Sequence, residues 1–352
     1  MANIFYDFPT RGLKVVGVTG TDGKTTTVNM IYQILKAAGK KISMVSTINA
    51  PGFHVTSPDP FMVQKFARES VDKGDEYLVL EVTSHGLDQY RFWGIKFEIG
   101  VITNITHEHL DYHKTFKKYF DTKMKLLQNA KFAIKPKDFK KIKTSLTLKI
   151  LGAYNKENAL AALAVSNVLG INPNIARAAL ENFTGLSGRM EEVKNKKGIR
   201  IIIDFAHTPN GLENALKTLH SGRGHAKGGR GRIISLIGCE GLRDVGKRAM
   251  MGEIAQRLSD IVIVTAVDPR GEIKDIVRQI KKGSLKAGAK QGKNFYIIED
   301  RQKAINFAIR QLVRKEDTIG IFGKGHENSM NLDGRKEIPW SDRKAIRKAL
   351  NG

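Results

Sequence analysis

Short apolar runs bounded by polar, glycine-rich stretches recur along this chain, and longer segments with helical spacing lie between them. Leu13–Val18 is the first run, with the pattern of a short buried strand. Beyond it Val28, Ile31, Leu35 and Ala38 share one face at the 3.6-residue period, predicting a helix. Lys41–Thr47 reads as a second strand, Pro51–Pro60 as a polar loop, and Phe61–Asp72 as a helix. Tyr77–Glu81 is a buried strand ending in an acid, and Ile99–Thr103 is another. Lys114–Gln128 reads as a helix with Phe116, Phe120, Met124 and Leu127 on one face. Lys123 stands beside that stripe and, by itself, reads as a surface lysine. Strands alternating with helices predict a mostly parallel sheet covered by helices.

Lys131–Lys149 is short and basic, enough for one strand and a loop. Asn155 is placed to cap an alanine-rich helix over Ala159–Leu169, and a further helix spans Pro173–Asn182. Gly185–Glu191 reads as a linker, so the domain boundary is set near Ser187, dividing the chain into 1–187 and 188–352. The second half repeats the α/β alternation, with strands at Ile199–Asp204, Ile233–Ile237, Ile261–Thr265, Phe295–Ile298 and Thr318–Phe322. Polar segments follow several of these strands, and open α/β sheets place ligands beyond such carboxyl ends. Lys24, Glu81 and His109 are expected at that edge of the first sheet.

Composition narrows the class. A chain of 352 residues suits about two domains. No apolar run approaches a membrane span, and the first residues lack the basic and apolar regions of a secretory signal. Cys239 is the single cysteine, which excludes an internal disulfide framework and suits a reducing compartment. A cytoplasmic protein without membrane insertion is expected. The net charge of +24 favours an anionic partner such as a nucleotide, although the lysines are spread along the chain. Only Lys131–Lys149 and Ser221–Arg232 concentrate charge.

The strongest chemical signal is Gly17-Val-Thr-Gly-Thr-Asp-Gly-Lys-Thr-Thr-Thr27. Strand, glycine-rich turn and helix together aim backbone N–H groups and a helix N-terminus at a phosphate. Lys24 can reach terminal phosphates as a point charge, and the Thr25 hydroxyl can ligate Mg²⁺. The general phosphate-loop pattern has glycine six residues before its lysine, where this chain has Val18. Glu81, ending its strand, suits a Mg²⁺ ligand beside a triphosphate. The cluster His107–His113 lacks H-E-x-x-H spacing and has no cysteine nearby, so a loop serving a phosphate–Mg²⁺ site is preferred to a zinc site.

Taken in order, the motifs resemble the Mur ligase family, most closely its MurE-type branch, the UDP-MurNAc-tripeptide synthetases. They are Gly20-Thr-Asp-Gly-Lys-Thr-Thr26, Thr56-Ser-Pro-Asp59, Glu81-Val-Thr-Ser-His85, Asn104–His113 and Asn155-x-x-Asn158. They continue with Gly188-Arg-Met-Glu191, Asp204-Phe-Ala-His-Thr-Pro209, Gly238–Arg248, Asp268-Pro-Arg270, Gly323-Lys-Gly-His-Glu327 and Ser341-Asp-Arg343. The resemblance implies a central ATPase domain of the phosphate-loop type followed by a C-terminal Rossmann-like α/β domain. It further implies an ATP- and Mg²⁺-dependent amide ligase in peptidoglycan precursor synthesis. In that chemistry a substrate carboxylate takes the γ-phosphate to form an acyl phosphate, and an amino acid's amine displaces phosphate.

Residue by residue, the resemblance implies that Gly20, Thr21, Asp22, Gly23, Lys24, Thr25 and Thr26 hold the phosphates. Asn155 and Asn158 would contact the adenine side, and Arg189 and Asp204 would touch ATP from the C-terminal domain. Lys24, Glu81, His109 and Lys123 form the implied catalytic set. Thr25, Glu81, His109 and a carbamylated Lys123 would serve the metals. Thr56 and Ser57 match the muramyl-substrate motif, and Arg248, Asp268, Arg270, Gly323 and Glu327 match the amino-acid pocket.

Three departures accompany the match. Only Met1–Gly12 precede the first strand, where the family has a UDP-binding domain; Gln128–Gly152 is shorter than usual; and Val267-Asp-Pro-Arg270 replaces Asp-Asn-Pro-Arg. Substrates expected are a muramyl-peptide-like acceptor and an amino acid, with a partner protein supplying UDP binding and an otherwise monomeric chain. A Mur-like ligase acting on another carboxylate, of polyglutamate or cyanophycin type, is the alternative. A basic nucleic-acid-binding ATPase is disfavoured, because no aromatic platform or binding motif accompanies the charge. A non-catalytic subunit is disfavoured by the retention of Lys24, Glu81, His109 and Lys123.

Overall fold

The computed structural model describes residues 1–49, 57–221 and 231–351. Thr56, most of the predicted Pro51–Pro60 loop and most of the Ser221–Arg232 stretch lie outside them. The chain forms two compact units, one of Met1–Thr106 with His113–Thr184, the other of His107–Tyr112 with Gly185–Gly352.

The first unit is built on a five-stranded sheet of β1 (Lys14–Thr19), β2 (Ile42–Val45), β3 (Tyr77–Glu81), β4 (Phe97–Ile102) and β5 (Ala130–Ile134). The order is β2-β3-β1-β4-β5, and every pairing is parallel. A parallel sheet is covered on both faces, so its strands read as continuous apolar runs. Accordingly Val15, Val16 and Val18 of β1 are all fully buried. Gly17 interrupts them because a side chain there would meet the Phe97 ring at 2.7 Å and Leu126 at 2.8 Å. The helix Lys24–Ala37 buries Val28, Met30, Ile31, Ile34 and Leu35, and the helix Ala153–Val168 packs on it. Asp59 caps the helix Pro60–Asp72 by accepting from the Phe61 and Met62 amides.

Two helix expectations are corrected. Asn155 is not an N-cap: the helix starts at Ala153, and Gly152, at φ +100°, occupies the cap. The Asn155 amide nitrogen donates to the Leu151 carbonyl instead. In the helix Phe116–Gln128 the buried face is Tyr119, Thr122, Lys123, Leu126 and Leu127, while Phe116 and Phe120 are 47% and 42% exposed. Lys123 is therefore a buried lysine rather than a surface one.

The second unit holds a six-stranded sheet of β6 (Glu191–Glu192), β7 (Arg200–Asp204), β8 (Ile233–Ile237), β9 (Ile261–Val264), β10 (Phe295–Ile297) and β11 (Thr318–Phe322). Its order is β10-β9-β8-β11-β7-β6, parallel throughout except for β6 against β7. Ile201, Ile203, Ile234, Leu236, Ile263, Ile319 and Ile321 form one core face, closed by Ala345, Ile346 and Ala349 of the helix Asp342–Asn351. The hairpin of β12 (Ser329–Asn331) and β13 (Glu337–Pro339) is an addition the apolar pattern does not announce, its strands being three residues each. The α/β class with parallel sheets is as the alternation predicts. No helix among the described residues is long and apolar enough to cross a membrane.

Ile321 is fully buried in β11, between β7 and β8. Ile321→Ala removes apolar volume from a site walled by strands on both sides and should cost about 2–5 kcal/mol. A lower urea midpoint for the second unit with an unchanged slope is the expected reading.

Candidate active site

In the first unit the turn Gly20–Gly23 connects the carboxyl end of β1 to the helix Lys24–Ala37. Gly23, at φ +83°, is the helix N-cap, and no side chain caps the leading amides. Those N–H groups and the positive end of the helix dipole are therefore available to an anion. A Cβ at Gly20 would lie 1.9 Å from Thr103 Oγ1, and one at Gly23 would lie 2.3 Å from Asn158 Oδ1, so both positions exclude a side chain. The turn is held from behind by Asn104. Its carbonyl accepts from Thr21 N at 2.9 Å, its Oδ1 accepts from Asp22 N at 3.0 Å, and its Nδ2 donates to Asp22 O at 3.1 Å. The Thr103 hydroxyl donates to Asp22 O at 2.6 Å. Lys24 Nζ folds over the turn, donating to Gly20 O at 3.1 Å and Thr21 O at 2.9 Å.

Glu81, 3% exposed at the end of β3, lies against the helix start. The Thr25 hydroxyl donates to its two carboxylate oxygens at 3.1 and 3.0 Å. Thr47 donates to Glu81 Oε2 from both N and Oγ1, each at 2.9 Å. Hydroxyl and carboxylate oxygens in contact, beside a phosphate turn, are the donors a hard divalent cation takes together with phosphate oxygens. No group of three His, Cys, Asp or Glu side chains among the described residues could hold a metal. The oxygens of Thr25 and Glu81 thus fit a Mg²⁺ ion that shares its coordination with a nucleotide, rather than an all-protein cage.

Lys123 joins this group from the helix Phe116–Gln128. It is 1% exposed, and Nζ donates to Gly20 O at 2.7 Å over the Tyr119 ring. The Tyr119 hydroxyl is 3.0 Å from Thr21 Oγ1, which also accepts from Thr106 N. Asn155 and Asn158 are bonded to each other at 3.0 Å, and Asn158 Oδ1 accepts from Thr27 Oγ1 at 3.4 Å. Thr26 is buried in the first helical turn. Ser57 is 2% exposed, its hydroxyl turned inward to donate to Glu81 O and to accept from Thr83 N and Oγ1. Thr47, Thr103, Asn104 and Tyr119 are the residues that sequence reasoning did not single out. Of these only Asn104 carried a signal, as a polar residue directly after a strand.

In the second unit the carboxyl ends of β7, β9 and β11 carry Asp204, Asp268, Arg270, Gly323 and Glu327, while Arg189 precedes β6 and Arg248 lies on the helix Gly246–Leu258. Asp204 ends β7, and its carboxylate accepts from Met190 N and Ala206 N, both at 2.7 Å. This holds the turn bearing Arg189, whose guanidinium lies 4.4 Å from the centre of the Phe205 ring. Asp268 and Arg270, with φ of +43° and +45°, follow β9. Asp268 accepts from Lys324 Nζ at 2.9 Å on both oxygens and from Asn331 N at 2.9 Å. Arg270 Nη1 donates to Gly241 O at 2.9 Å. Gly323, at φ +102°, follows β11 and donates to Asp204 O. Glu327 is 2.5 Å from Lys324 Nζ. Arg248 is fully buried and bonded to Glu272 at 2.7 Å, Asp275 at 3.3 Å and the Glu240 carbonyl at 3.3 Å.

His109 belongs to the His107–Tyr112 segment that groups with the second unit. It adopts φ +58°, with Nδ1 3.9 Å from Glu108 Oε1. The segment is anchored by Glu108, which pairs with buried Lys247 at 2.8 Å, and by Asp244, which accepts from Leu110 N. Lys247 and Lys324, like Glu108 and Asp244, are charged residues of this unit that sequence reasoning passed over, each lying inside a recognised motif.

Electrostatics follow from burial around shared cations. Burial raises the Glu327 carboxyl to about 7, with Lys324 pulling against the shift and the Glu240 and Asp268 charges adding to it. One ammonium between two carboxylates leaves the less favoured acid ready to keep its proton. Burial and the neighbouring cations Arg189 and Lys324 push His326 down to about 3, so its ring is neutral at physiological pH. Burial alone would raise Glu240, but Lys247, His207, Arg243 and Arg270 outweigh it and hold the group near 2.

Glu327 therefore has a folded value above its ordinary 4.5. Its protonated form stabilises the fold fully below pH 4.5, and that contribution is lost as pH rises through about 7. Glu327→Gln, which cannot ionise, should gain on the wild type in urea melts between pH 4.5 and 7. A difference that stays flat across that window is the contrary result.

A model of the Mur ligase middle domain matches residues 18–142, and one of the Mur ligase glutamate ligase domain matches residues 188–325. The chain is 36% identical to the UDP-N-acetylmuramoyl-L-alanyl-D-glutamate–2,6-diaminopimelate ligase 1 of Clostridium acetobutylicum, over 97% of this chain and 79% of that protein. It is 33% identical to the corresponding ligase of Geobacter metallireducens, over 99% of this chain and 80% of that one. The solved structure of a UDP-N-acetylmuramoyl-L-alanyl-D-glutamate–2,6-diaminopimelate ligase superposes with a TM-score of 0.60 at 25% identity, across 100% of this chain and 82% of that one. With two of its domains matched in succession and such relatives along nearly the whole length, this chain belongs to the Mur ligase family.

Proposed function

We propose that the protein is an ATP-dependent acid–amino-acid ligase that extends a muramyl-peptide-like acceptor by one amino acid in peptidoglycan precursor synthesis. The observation that carries this reading is the phosphate turn with Thr25 on Glu81, in a chain similar along its length to named ligases of that reaction.

In this reading Gly20–Thr26 bind the triphosphate through the uncapped amides, and Lys24 leaves its two loop carbonyls to neutralise the terminal phosphate. Thr25 and Glu81 hold Mg²⁺, which when bound would neutralise charge developing on the transferred phosphoryl group. Asn155 and Asn158 are assigned to the adenine side, and Arg189 and Asp204 are assigned to ATP binding as well. The acceptor carboxylate, received by the Thr56-Ser57 motif, attacks the γ-phosphorus, forming an acyl phosphate and releasing ADP. The amine of the incoming amino acid then attacks the acyl carbon. A tetrahedral intermediate collapses, the C–O bond to phosphate breaks, and the nitrogen gives up its proton.

Arg248, Asp268, Arg270, Gly323 and Glu327 are assigned to the amino-acid pocket, with Arg270 suited to hold a carboxylate. Asp268 enters that role already neutralised by Lys324, and Arg248 through the acids that orient it. His109 and Lys123 are each assigned a metal-binding role. Lys123 as an amine offers no oxygen, whereas its carbamate would; the bond from its amine to Gly20 O supports this reading.

Incubation with ATP, Mg²⁺, UDP-MurNAc-dipeptide and a panel of amino acids tests the reading. ADP release and a product mass that require both acceptor and amino acid support it. Release stimulated by RNA or DNA alone defeats it. Lys24→Ala and Glu81→Gln should each lower kcat by about 100- to 1,000-fold, as loss of one charge-stabilising group does. In the same assay Lys123→Ala should be inactive and regain activity with added short-chain carboxylates. A Lys123→Ala variant that needs no rescue removes the carbamate.

A further inference from the structure

The buried Arg301 and the Ser341-Asp-Arg343 motif take no part in the chemistry above, yet they meet directly behind the amino-acid loops. Arg301, 2% exposed, opens the helix Arg301–Phe307, and Asp342, 1% exposed, opens the helix Asp342–Asn351. Arg301 Nε donates to Asp342 Oδ1 and Nη2 to Oδ2, each at 2.7 Å, a two-pronged pairing. Trp340 Nε1 donates to Asp342 Oδ1 at 2.9 Å, fixing the carboxylate plane. The other guanidinium donors go to two strand ends. Nη2 donates to Phe322 O at 3.0 Å, and Nη1 to Ala266 O at 3.3 Å.

These two carbonyls stand where the pocket loops begin. Phe322 is the last residue of β11, before Gly323–Glu327, and Ala266 immediately precedes Val267–Arg270. β9 and β11 are not neighbours, for β8 runs between them. No ladder hydrogen bond can therefore set the spacing of their ends. Arg301 spans β8 and ties both, and Lys324 repeats the link one step further out by bonding Asp268 from the β11 loop. A buried ion pair is weak evidence for stability, since apolar residues of similar volume often serve a core as well. What an apolar pair cannot supply is two directed donors to two separate strands.

We propose that Arg301, oriented by Asp342, is a positioning residue that sets the spacing of the two loops and thereby the recognition of the incoming amino acid. The inference rests on the ligase reading and on the assignment of those loops to the amino-acid pocket.

The test uses the full chain and the amino acid that gives product with the wild type. Arg301→Met should raise KM for that amino acid by roughly 10- to 100-fold, as misplacement of a binding group does. KM for ATP should change by less than about twofold, since the phosphate turn is untouched. Arg301→Lys keeps the charge but not the fork and should recover little. Calorimetric titration of the amino acid should show the same loss. Should Arg301→Met fail to fold by circular dichroism, Asp342→Asn, which keeps shape and one acceptor, should give the same split between the two KM values. An unmoved amino-acid KM, or equal losses for ATP and amino acid with a lowered Tm, overturns the inference alone. Wild-type ADP release indifferent to every amino acid overturns it together with the ligase reading.

Discussion

A single carboxylate organises the first unit. Glu81 is buried at a strand end, where an unpaired charge would be costly, and three donors, the Thr25 hydroxyl shared between both oxygens and Thr47 N and Oγ1, compensate it. Those bonds tie the end of β3 to the start of the phosphate helix and to the segment after β2. The turn between β1 and that helix is thus clamped on one side by an acid and on the other by Asn104. The uncapped amides at the helix start beyond it are rigidly presented, because the turn's own Thr21 and Asp22 amides are already engaged by Asn104. Glycine is required at 20 and 23 for a separate reason: the Thr103 and Asn158 side chains come closer there than any Cβ allows.

The second unit solves a related problem with the charges reversed. Lys324 is a buried cation between Asp268 and Glu327, and Arg301 is a buried cation behind the same loops. Both units therefore place ionised groups at the carboxyl ends of parallel strands, where helix termini and loop amides can solvate them in place of water. In the first unit the arrangement suits a polyphosphate with a hard cation. In the second it suits a zwitterion carrying both signs of charge.

Much of this was legible because parallel strands are apolar along their whole length. Tyr77–Glu81, Ile233–Ile237 and Thr318–Phe322 run in the structure as their composition dictates, and the phosphate turn announces itself by glycine spacing between strand and helix. The failures share a cause. Phe116 and Phe120 outrank Tyr119 and Lys123 on any apolar scale, yet it is the latter pair that turns inward. Tyr119 and Lys123 find Thr21 and the Gly20 carbonyl, partners distant in sequence whose hydrogen bonds outweigh the apolar preference. Asn155 likewise looks like a cap from its neighbours alone, but Gly152 supplies the positive φ that starts the helix earlier. Thr47 was illegible for the same reason: a threonine beyond a strand gains meaning only from the acid opposite it.

The position of β1 has a consequence for how the chain acquires its shape. It is the middle strand of its sheet yet the first of the five in sequence; β3 follows after two intervening helices and β4 after a further short one. Until then Val15, Val16 and Val18 have no sheet to cover them and both edges of the strand are unpaired. Parallel pairing at such sequence separation forms slowly, and the waiting strand is exposed to wrong association in the meantime. The phosphate turn, which depends on β1, is consequently completed only with the strands that flank it, although it precedes them in sequence.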